Sequence, residues 1–420
     1  MADEGGFSHV AAKIPPGTHI ALYVPTLAGG GAERVMLKLA GELARRGYTV
    51  DFVLNKRQGA YADHLPAGLR QVVTLQRRSK WQARLTVLRA FPGGWKEAIL
   101  PVLLARTPVR NLRYVASLAE YLRRERPDVM ISALFYANLA AIWARQLAGV
   151  PTRLVVSQRN TLSQLIAEGV ESRRAAWRWR YLPALLNRCY ARADRVVAVS
   201  DGVGDDLARM IELDRHKITT LYNPVVSKKL TQRAAEPAAH PWFVSADCPV
   251  ILGVGRLEPQ KDFHTLLSAF ALLRARRKVR LVILGEGRLR PDLEARVQEL
   301  GIGNDVRLPG WVDNPYSCMR SASVFVLSSA WEGLSAVLIE AMACGCPVVS
   351  TDCPSGSREI LDDGRCGPLV PVGDAAALAD AISHVLDVPT DATVLKQRAA
   401  DFSIEASTDR YVDCIASLLS

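Results

Sequence analysis

The chain has 420 residues, of which 49% are hydrophobic and 23% charged, and its net charge is +11. This length predicts two domains, and the composition excludes a disordered chain or a coiled coil. No uncharged apolar run reaches the roughly 18 residues that a membrane-spanning helix needs. The acidic start of the chain is unlike a secretory signal, so we expect a cytoplasmic protein.

The first half of the chain alternates between predicted strands and helices after an N-terminal tail, residues 1–17. "THIALYV" is a strand, "AERVMLKLAGELARRG" is an amphipathic helix and "TVDFVL" is the next strand. Further strands are predicted at "DVMISAL", "RLVVSQ" and "RVVAVS". We assign this series to an N-terminal Rossmann-like domain, residues 18–225.

A basic segment with interspersed aromatic residues interrupts this alternation. Residues 57–126 hold fourteen Lys or Arg against four Asp or Glu, and residues 171–192 hold six Arg against one Glu. We interpret residues 57–126 as a helical insertion and predict that residues 77–113 and 173–192 bind an anionic membrane surface. An ordinary solvated surface is the alternative. We do not expect nucleic acid as a partner, because no known recognition motif accompanies the charge.

A proline-rich stretch at residues 223–248 suggests a domain boundary, after which the alternation resumes. Strands are predicted at "VILGVG", "RLVILG", "VRLPG", "SVFVLS" and "PVVST", with helices at 262–277, 291–300, 314–322, 336–344 and 374–386. We assign residues 226–398 to a C-terminal Rossmann-like domain and residues 399–420 to a last helix. The predicted fold class is therefore α/β, with two doubly wound parallel sheets and a ligand site in the cleft between them.

The eight cysteines are scattered and form no CxxC pair. Zinc sites and disulfide frameworks need tighter and more regular spacing, so we predict buried free thiols.

Glycines and cations follow several predicted strands. Gly29, Gly30 and Gly31 lead from the first strand into a helix, which suits either a tight turn or the approach of an anion to the helix N-terminus. Arg256 and Lys261 follow the first strand of the second half, where two cations can clamp a diphosphate. Gly285 ends the next strand in the same way and is a further candidate for substrate contact.

The stretch "WEGLSAVLIEAMACGCPVVST" at residues 331–351 places Glu340 inside an otherwise apolar helix that Ser335 can cap. A buried carboxylate needs a partner, so Glu340 points outward, pairs with a basic residue or binds a ligand. The backbone N–H groups of residues 333–335 can face an anion, and Glu332 lies just before them. Two carboxylates, free donors and two cations suit a nucleoside diphosphate sugar.

Six motifs together resemble the retaining glycosyltransferases of family 4, which have the two-Rossmann GT-B fold and act in cell-envelope or lipid-linked glycan synthesis. They are "GGGAERV", "VGRLEPQKDFHTLLSAF", "LVILGEG", "VRLPGWV", "EGLSAVLIEAMACGCPVVSTDCPSGSREIL" and "GPLVPVGD". The resemblance covers nearly the whole chain. It implies that the domain at residues 18–225 is acceptor-binding, that the domain at residues 226–398 is nucleotide-sugar-binding, and that the helix at residues 399–420 packs back on the first domain.

The resemblance implies a role for each matching residue. Glu332 would lie by the donor sugar, and Glu340 would bind the ribose hydroxyls. Arg256 and Lys261 would neutralise the diphosphate, together with the backbone of Gly333, Leu334 and Ser335. Gly30 and Gly31 would face the donor or acceptor, and the main chain at Trp311 and Val312 would meet the base.

The implied chemistry needs no metal or other cofactor, since the cations and the helix N-terminus stabilise the leaving diphosphate. Many relatives have a histidine in the N-terminal domain that "ISALFYANLAA" lacks, so its role is either absent or filled by Tyr136 or Asn138. The "SxRN" stretch at residues 157–160 resembles that of members that use UDP-N-acetylhexosamines or UDP-hexoses. We therefore expect a UDP-sugar donor.

The leading hypothesis is a retaining, metal-independent hexosyltransferase. It would act on a polyprenyl-diphosphate-linked or other membrane glycan as a peripheral protein at the inner membrane face. The alternatives are a soluble transferase with a small or protein acceptor, a nucleotide-sugar epimerase on the same fold, and a non-catalytic carbohydrate- or lipid-binding module.

Overall fold

The computed structural model describes residues 14–28, 30–91, 111–169, 181–238, 240–244 and 248–420. Most of the predicted N-terminal tail and Gly29 lie outside these ranges. So do the predicted membrane-binding residues 92–110 and 173–180.

The first half of the chain forms a seven-stranded parallel sheet in the order β3-β2-β1-β4-β5-β6-β7. Its strands are β1 (His19–Val24), β2 (Thr49–Leu54), β3 (Gln71–Thr74), β4 (Val129–Ala133), β5 (Arg153–Gln158), β6 (Arg195–Ala198) and β7 (Ile218–Thr220). The central strands are buried from end to end, which is typical of a parallel sheet covered by helices on both faces. The described helices are α1 (Gly31–Arg45), α2 (Lys80–Ala90), α3 (Val115–Glu125), α4 (Phe135–Ala148), α5 (Leu162–Gly169), α6 (Leu182–Tyr190), α7 (Asp201–Ile211) and α8 (Lys228–Ala234).

The second half forms a six-stranded parallel sheet in the order β10-β9-β8-β11-β12-β13. Its strands are β8 (Val250–Val254), β9 (Arg280–Leu284), β10 (Val306–Gly310), β11 (Val324–Leu327), β12 (Val348–Thr351) and β13 (Leu369–Val370). The helices are α9 (Phe263–Arg274), α10 (Arg290–Glu299), α11 (Pro315–Ser321), α12 (Ala336–Ala343), α13 (Ser357–Ile360), α14 (Ala375–Asp387), α15 (Ala392–Ala400) and α16 (Ile404–Leu419). None of the helices in the described ranges is long and apolar enough to cross a bilayer.

The strand order reverses between β1 and β4 in the first sheet and between β8 and β11 in the second. Helices that leave such neighbouring strands cross to opposite faces, which opens a crevice at the carboxyl ends of the strands. The two crevices face each other, and they position the site described below.

The last helix, α16, returns to the first half of the chain and packs against α1. Tyr411, Val412 and Ile415 belong to the same buried cluster as Leu39 and Leu43 of α1. The last helix therefore covers the first sheet, although it follows the second sheet in the sequence.

The predicted α/β class with two doubly wound sheets is confirmed, and the longer predicted strands agree closely with the observed ones. Three short strands, β3, β7 and β13, are missing from the prediction. They lie at or near the sheet edges, where a run of two to four residues gives little periodicity. The interpretation of residues 57–126 as a helical insertion is wrong in part, because β3 extends the sheet inside that segment.

The prediction of buried free thiols is confirmed for all eight cysteines. Burial raises the pKa of the Cys189 thiol to about 12, so this group stays protonated and inert at neutral pH.

Candidate active site

A cavity of about 460 Å³ lies between the two sheets, at the carboxyl ends of their strands. The loops after β1, β4 and β5 line it from one side, and the loops after β8 and β11 with the start of α12 line it from the other. Its lining includes the predicted site residues Gly30, Gly31, Arg256, Lys261, Glu332, Gly333 and Leu334. Folding thus brings together residues that are up to 304 positions apart in the sequence (30 to 334).

Lys261 and Glu332 form the ion pair at the floor of this cavity. Lys261 Nζ donates to Glu332 Oε1 over 2.6 Å, and both side chains are largely buried. Ser329 Oγ donates to the same carboxylate oxygen over 2.7 Å, and Gln260 Nε2 lies 3.4 Å from the other one. These contacts fix the direction in which the ammonium group points.

Arg256 supplies a second cation, two residues after the end of β8. Its side chain is exposed and lines the same cavity. It forms no ion pair with any carboxylate in the described part of the chain, so its charge remains available to an anionic ligand.

The glycine loop faces these cations from the first sheet. Gly30 occupies the N-cap position of α1 in an extended conformation. The Glu33 carboxylate folds over it, and an added Cβ on Gly30 would lie only 2.4 Å from Glu33 Oε2. A Cβ on Gly31 would meet nothing within 4 Å, so the small residue there leaves room for a ligand.

The loop that leads into α12 lies where the two halves of the chain touch. A Cβ on Gly333 would lie 2.2 Å from the Arg159 carbonyl oxygen, so only glycine permits this approach. Ser200 Oγ from the first half donates to the Gly333 carbonyl oxygen over 2.7 Å. The predicted cap by Ser335 is not formed: its hydroxyl is buried and has no partner among the described residues, although the residue occupies the N-cap position.

Glu340 is 2% exposed, and its partner is a basic residue on helix α1 in the first half of the chain. Arg34 Nη2 donates to Glu340 Oε1 over 3.1 Å, and Tyr316 Oη lies 3.5 Å from the same oxygen. The Glu340 charge raises the pKa of Arg34, so the guanidinium stays charged. One of the three alternatives left open by the sequence, pairing with a cation, is therefore what the structure contains.

Besides Ser335 and Glu340, four predicted site residues do not line the cavity. Asn138 is fully buried in the first domain, where its side chain contacts Ser132, Ser157 and Tyr190. Among the alternatives for the missing histidine's role, these contacts count against Asn138, because its amide oxygen and nitrogen are both hydrogen-bonded inside the core.

The other three lie in loops of the second sheet: Gly285 follows β9, and Trp311 and Val312 follow β10. Gly285 has a φ of +140°, and a Cβ there would lie 1.9 Å from the Gly255 carbonyl oxygen, so it permits the packing of two loops. Trp311 is 71% exposed, and Val312 packs against the core. The main chain at these two residues remains a candidate for base contact.

Sequence reasoning missed Glu33, Arg34 and Arg159. Glu33 and Arg159 line the cavity, and Arg34 holds Glu340. The position of Glu33 and Arg34 was the available signal. They follow a glycine-rich loop and lie in the first turn of an amphipathic helix, so their side chains can face a group that approaches the helix N-terminus. Arg159 is buried and reaches Tyr411 Oη of α16 over 3.5 Å, which no local pattern could indicate.

The described residues include no group of three or more His, Cys, Asp or Glu side chains placed to hold a metal ion.

Two family models match the chain. Residues 29–229 match "Glycosyltransferase Family 4" and residues 248–388 match "Glycosyl transferases group 1".

Curated relatives and solved structures agree with this match. The chain is 34% identical over 250 residues to the N-acetylgalactosamine-N,N'-diacetylbacillosaminyl-diphospho-undecaprenol 4-alpha-N-acetylgalactosaminyltransferase of Campylobacter jejuni, which covers 60% of this chain and 64% of that protein. It is 31% identical over 306 residues to the lipopolysaccharide core biosynthesis glycosyltransferase LpsE of Rhizobium meliloti. This match covers 70% of this chain and 77% of that protein. The crystal structure of Anabaena Alr3699/HepE in complex with UDP superimposes with a TM-score of 0.71 at 20% identity, over 95% of this chain and 100% of that one.

The architecture is thus the GT-B fold, two Rossmann-like sheets with a cleft between them. The chain belongs to the family 4 glycosyltransferases.

Proposed function

We propose that the protein is a retaining glycosyltransferase that moves a hexose or N-acetylhexosamine from a UDP-sugar to a lipid-linked acceptor, a polyprenyl-diphosphate-linked or other membrane glycan. The observation that carries the proposal is the cavity. Arg256, Lys261 and the start of α12 line it from one sheet, and Gly30 and Gly31 line it from the other. A nucleotide sugar held by the second sheet would present its anomeric carbon to an acceptor held by the first.

The cations of the second sheet would bind the donor diphosphate. Arg256 offers a planar fork, Lys261 a point charge, and the backbone of residues 333–335 offers N–H groups at a helix N-terminus. Glu332, which fixes Lys261, would lie beside the donor sugar. Glu340 would accept the ribose hydroxyls beside its ion pair with Arg34.

These groups suit a transfer step that keeps the configuration at the anomeric carbon. When the bond between that carbon and the phosphate oxygen breaks, both electrons remain on the diphosphate, and Arg256 and Lys261 stabilise the charge. The acceptor hydroxyl forms the new bond from the same face, and its proton passes to the departing phosphate oxygen. Because protein cations can supply the positive charge, we propose that no metal is required.

The relatives support the choice of donor and acceptor. The Campylobacter protein acts, by its name, on a diphospho-undecaprenol glycan, and the Rhizobium protein on the lipopolysaccharide core. The Anabaena protein was solved with UDP.

An exposed apolar stripe on α2 supports attachment to an anionic membrane surface at the inner face. Trp81, Leu85 and Leu88 are 74%, 53% and 42% exposed and follow helical spacing along one side. The Arg84 guanidinium lies 5.6 Å from the centre of the Trp81 ring. An apolar stripe flanked by cations suits the headgroup region of an anionic bilayer.

The test is incubation of the purified protein with UDP-, GDP- and ADP-sugars in EDTA, with and without a membrane lipid extract, while nucleoside diphosphate release is measured. We expect release from a UDP-sugar only when lipid is present. Release with a small soluble or protein acceptor alone would instead identify a soluble transferase. Interconversion of the UDP-sugar without transfer would identify an epimerase, and sugar binding without any turnover a binding module.

A further inference from the structure

A second cavity, of about 450 Å³, lies in the first domain at the carboxyl ends of β1, β2 and β3. It is lined by Thr26, Asn55, Lys56, Gln58, Arg77, Asn111 and Tyr114. None of these lining residues is a carboxylate.

The chemistry of this lining favours an anion. Lys56 and Arg77 are exposed, and neither forms an ion pair with a carboxylate in the described ranges. The adjacent Arg78, in contrast, pairs with Glu120 at 2.7 Å. Two free cations surrounded by side-chain amides and hydroxyls match the donors that recognise a phosphate or diphosphate group.

The wall between the two cavities is the loop after β1. Thr26 lines the second cavity and Gly30 the first, and the Cα atoms of these two wall residues lie at most roughly 14 Å apart, the reach of a fully extended chain. The wall is fixed in place, because Leu27 N donates to the Gln58 carbonyl oxygen and Tyr61 N to the Leu27 carbonyl oxygen, each over 3.1 Å. A short glycan could therefore reach from one cavity to the other.

We propose that the second cavity binds the phosphate or diphosphate group of the acceptor while the acceptor's sugar hydroxyl enters the first cavity. This inference rests on the proposed function and adds the subsite that would distinguish a phosphate-linked acceptor from a neutral one. Lys56 and Arg77 neutralise the acceptor charge from the neighbouring carboxyl ends of β2 and β3.

The first experiment is calorimetric titration with inorganic pyrophosphate in the presence of saturating UDP, which keeps the probe out of the first cavity. The wild-type protein should bind pyrophosphate, and the K56A/R77A double variant should bind it at least tenfold more weakly. The matched control is K217A/K229A, which removes the same two charges from exposed positions on other elements. Equal weakening in both double variants, or no binding to the wild type, would overturn the proposal.

The second experiment separates a phosphate-linked acceptor from free pyrophosphate. With the lipid acceptor, K56A/R77A should raise the acceptor KM at least tenfold and leave the UDP-sugar KM unchanged. An unchanged acceptor KM with weaker pyrophosphate binding would show a site for free anions and overturn the acceptor assignment. Failure of the proposed function would give a different result from failure of the acceptor assignment. No nucleotide sugar would be turned over, while pyrophosphate binding to the wild type and its loss in K56A/R77A would still be measured.

Discussion

At the scale of single residues, the ion pair between Lys261 and Glu332 places a positive charge and the carboxylate that orients it in the lining of the cavity. Both side chains are largely buried, so this is not a surface ion pair, which would contribute little to the stability of the protein. Each fixes the other beside the cavity, so removal of either one changes both charge and position.

We predict that Lys261→Ala and Glu332→Ala each lower turnover at least tenfold, because the first removes positive charge from the leaving diphosphate and the second releases the lysine. The measurement is kcat and KM for the donor, with thermal unfolding to confirm that each variant folds. Lys217→Ala serves as the control, since it removes an exposed lysine elsewhere. Wild-type turnover in either variant would contradict the assigned roles.

At the scale of elements, the start of helix α7 connects the first sheet to the loops that follow β11 and β12 of the second. The backbone N–H groups of Asp201 and Gly202 donate to the Glu359 carboxylate over 2.8 and 2.9 Å. Gly202 packs directly on Ser355, and Ser200 holds Gly333. The start of α7 therefore sets how closely the two sheets approach at the cavity.

We predict that Gly202→Ala lowers kcat/KM at least tenfold with little effect on thermal unfolding. Its Cβ would lie 2.7 Å from Ser355 Cβ and 2.8 Å from Ser355 Cα, which forces the sheets apart at the site and misplaces the donor. Gly303→Ala is the matched control, because a Cβ there meets only ordinary contacts at 3.5 Å or more. Equal activity of the two variants would show that the approach at Gly202 is not required.

A second element-scale prediction concerns α2. Replacing Trp81, Leu85 and Leu88 together by Ser should lower binding to vesicles that contain anionic lipid at least tenfold, because the exposed apolar stripe is removed. The buried face of α2, formed by Ala83, Val87 and Ala90, is left intact.

The control for α2 replaces three exposed valines of the second half, Val372, Val388 and Val394, by Ser. Undiminished sedimentation of the α2 variant with these vesicles would refute the membrane contact.

At the scale of the whole molecule, Asp51 joins the strands of the first sheet to a helix that covers it. Its fully buried carboxylate accepts from Arg70, His19, Tyr121 and Gln71 over 2.6 to 3.0 Å. Burial alone would raise the pKa of Asp51, but the hydrogen bonds donated by these groups outweigh it and hold the pKa well below its ordinary value of 3.8.

We predict that Asp51→Asn lowers the free energy of unfolding at pH 7 by about 2 kcal/mol or more, because Arg70 keeps only Glu125 as a charged partner and the neutral amide accepts fewer hydrogen bonds than the carboxylate. A depressed carboxyl pKa gives stability that is fully present above pH 3.8 and is lost as the pH falls below it. The difference between the wild type and Asp51→Asn should therefore shrink as the pH is lowered below 3.8, as measured by denaturant unfolding.

Asp380→Asn provides the comparison for this measurement, since it breaks an aspartate–arginine pair on the surface. Its effect should be at most about 1 kcal/mol. An Asp51→Asn effect as small as that of the surface pair would contradict the importance given to the Asp51 network.

The sequence by itself determined the two sheets, most of their strands, the strand-end glycines and the placement of Arg256, Lys261 and Glu332 beside a loop. These features follow from local periodicity and from the rule that ligands bind at the carboxyl ends of parallel strands. Only the tertiary structure decided that Arg34, 306 positions away, is the partner of Glu340. It also decided that the Asn138 side chain is hydrogen-bonded inside the core. The physical reason is that such contacts depend on how the two sheets and their helices pack against one another. Local periodicity in the sequence does not indicate which distant residues this packing brings together.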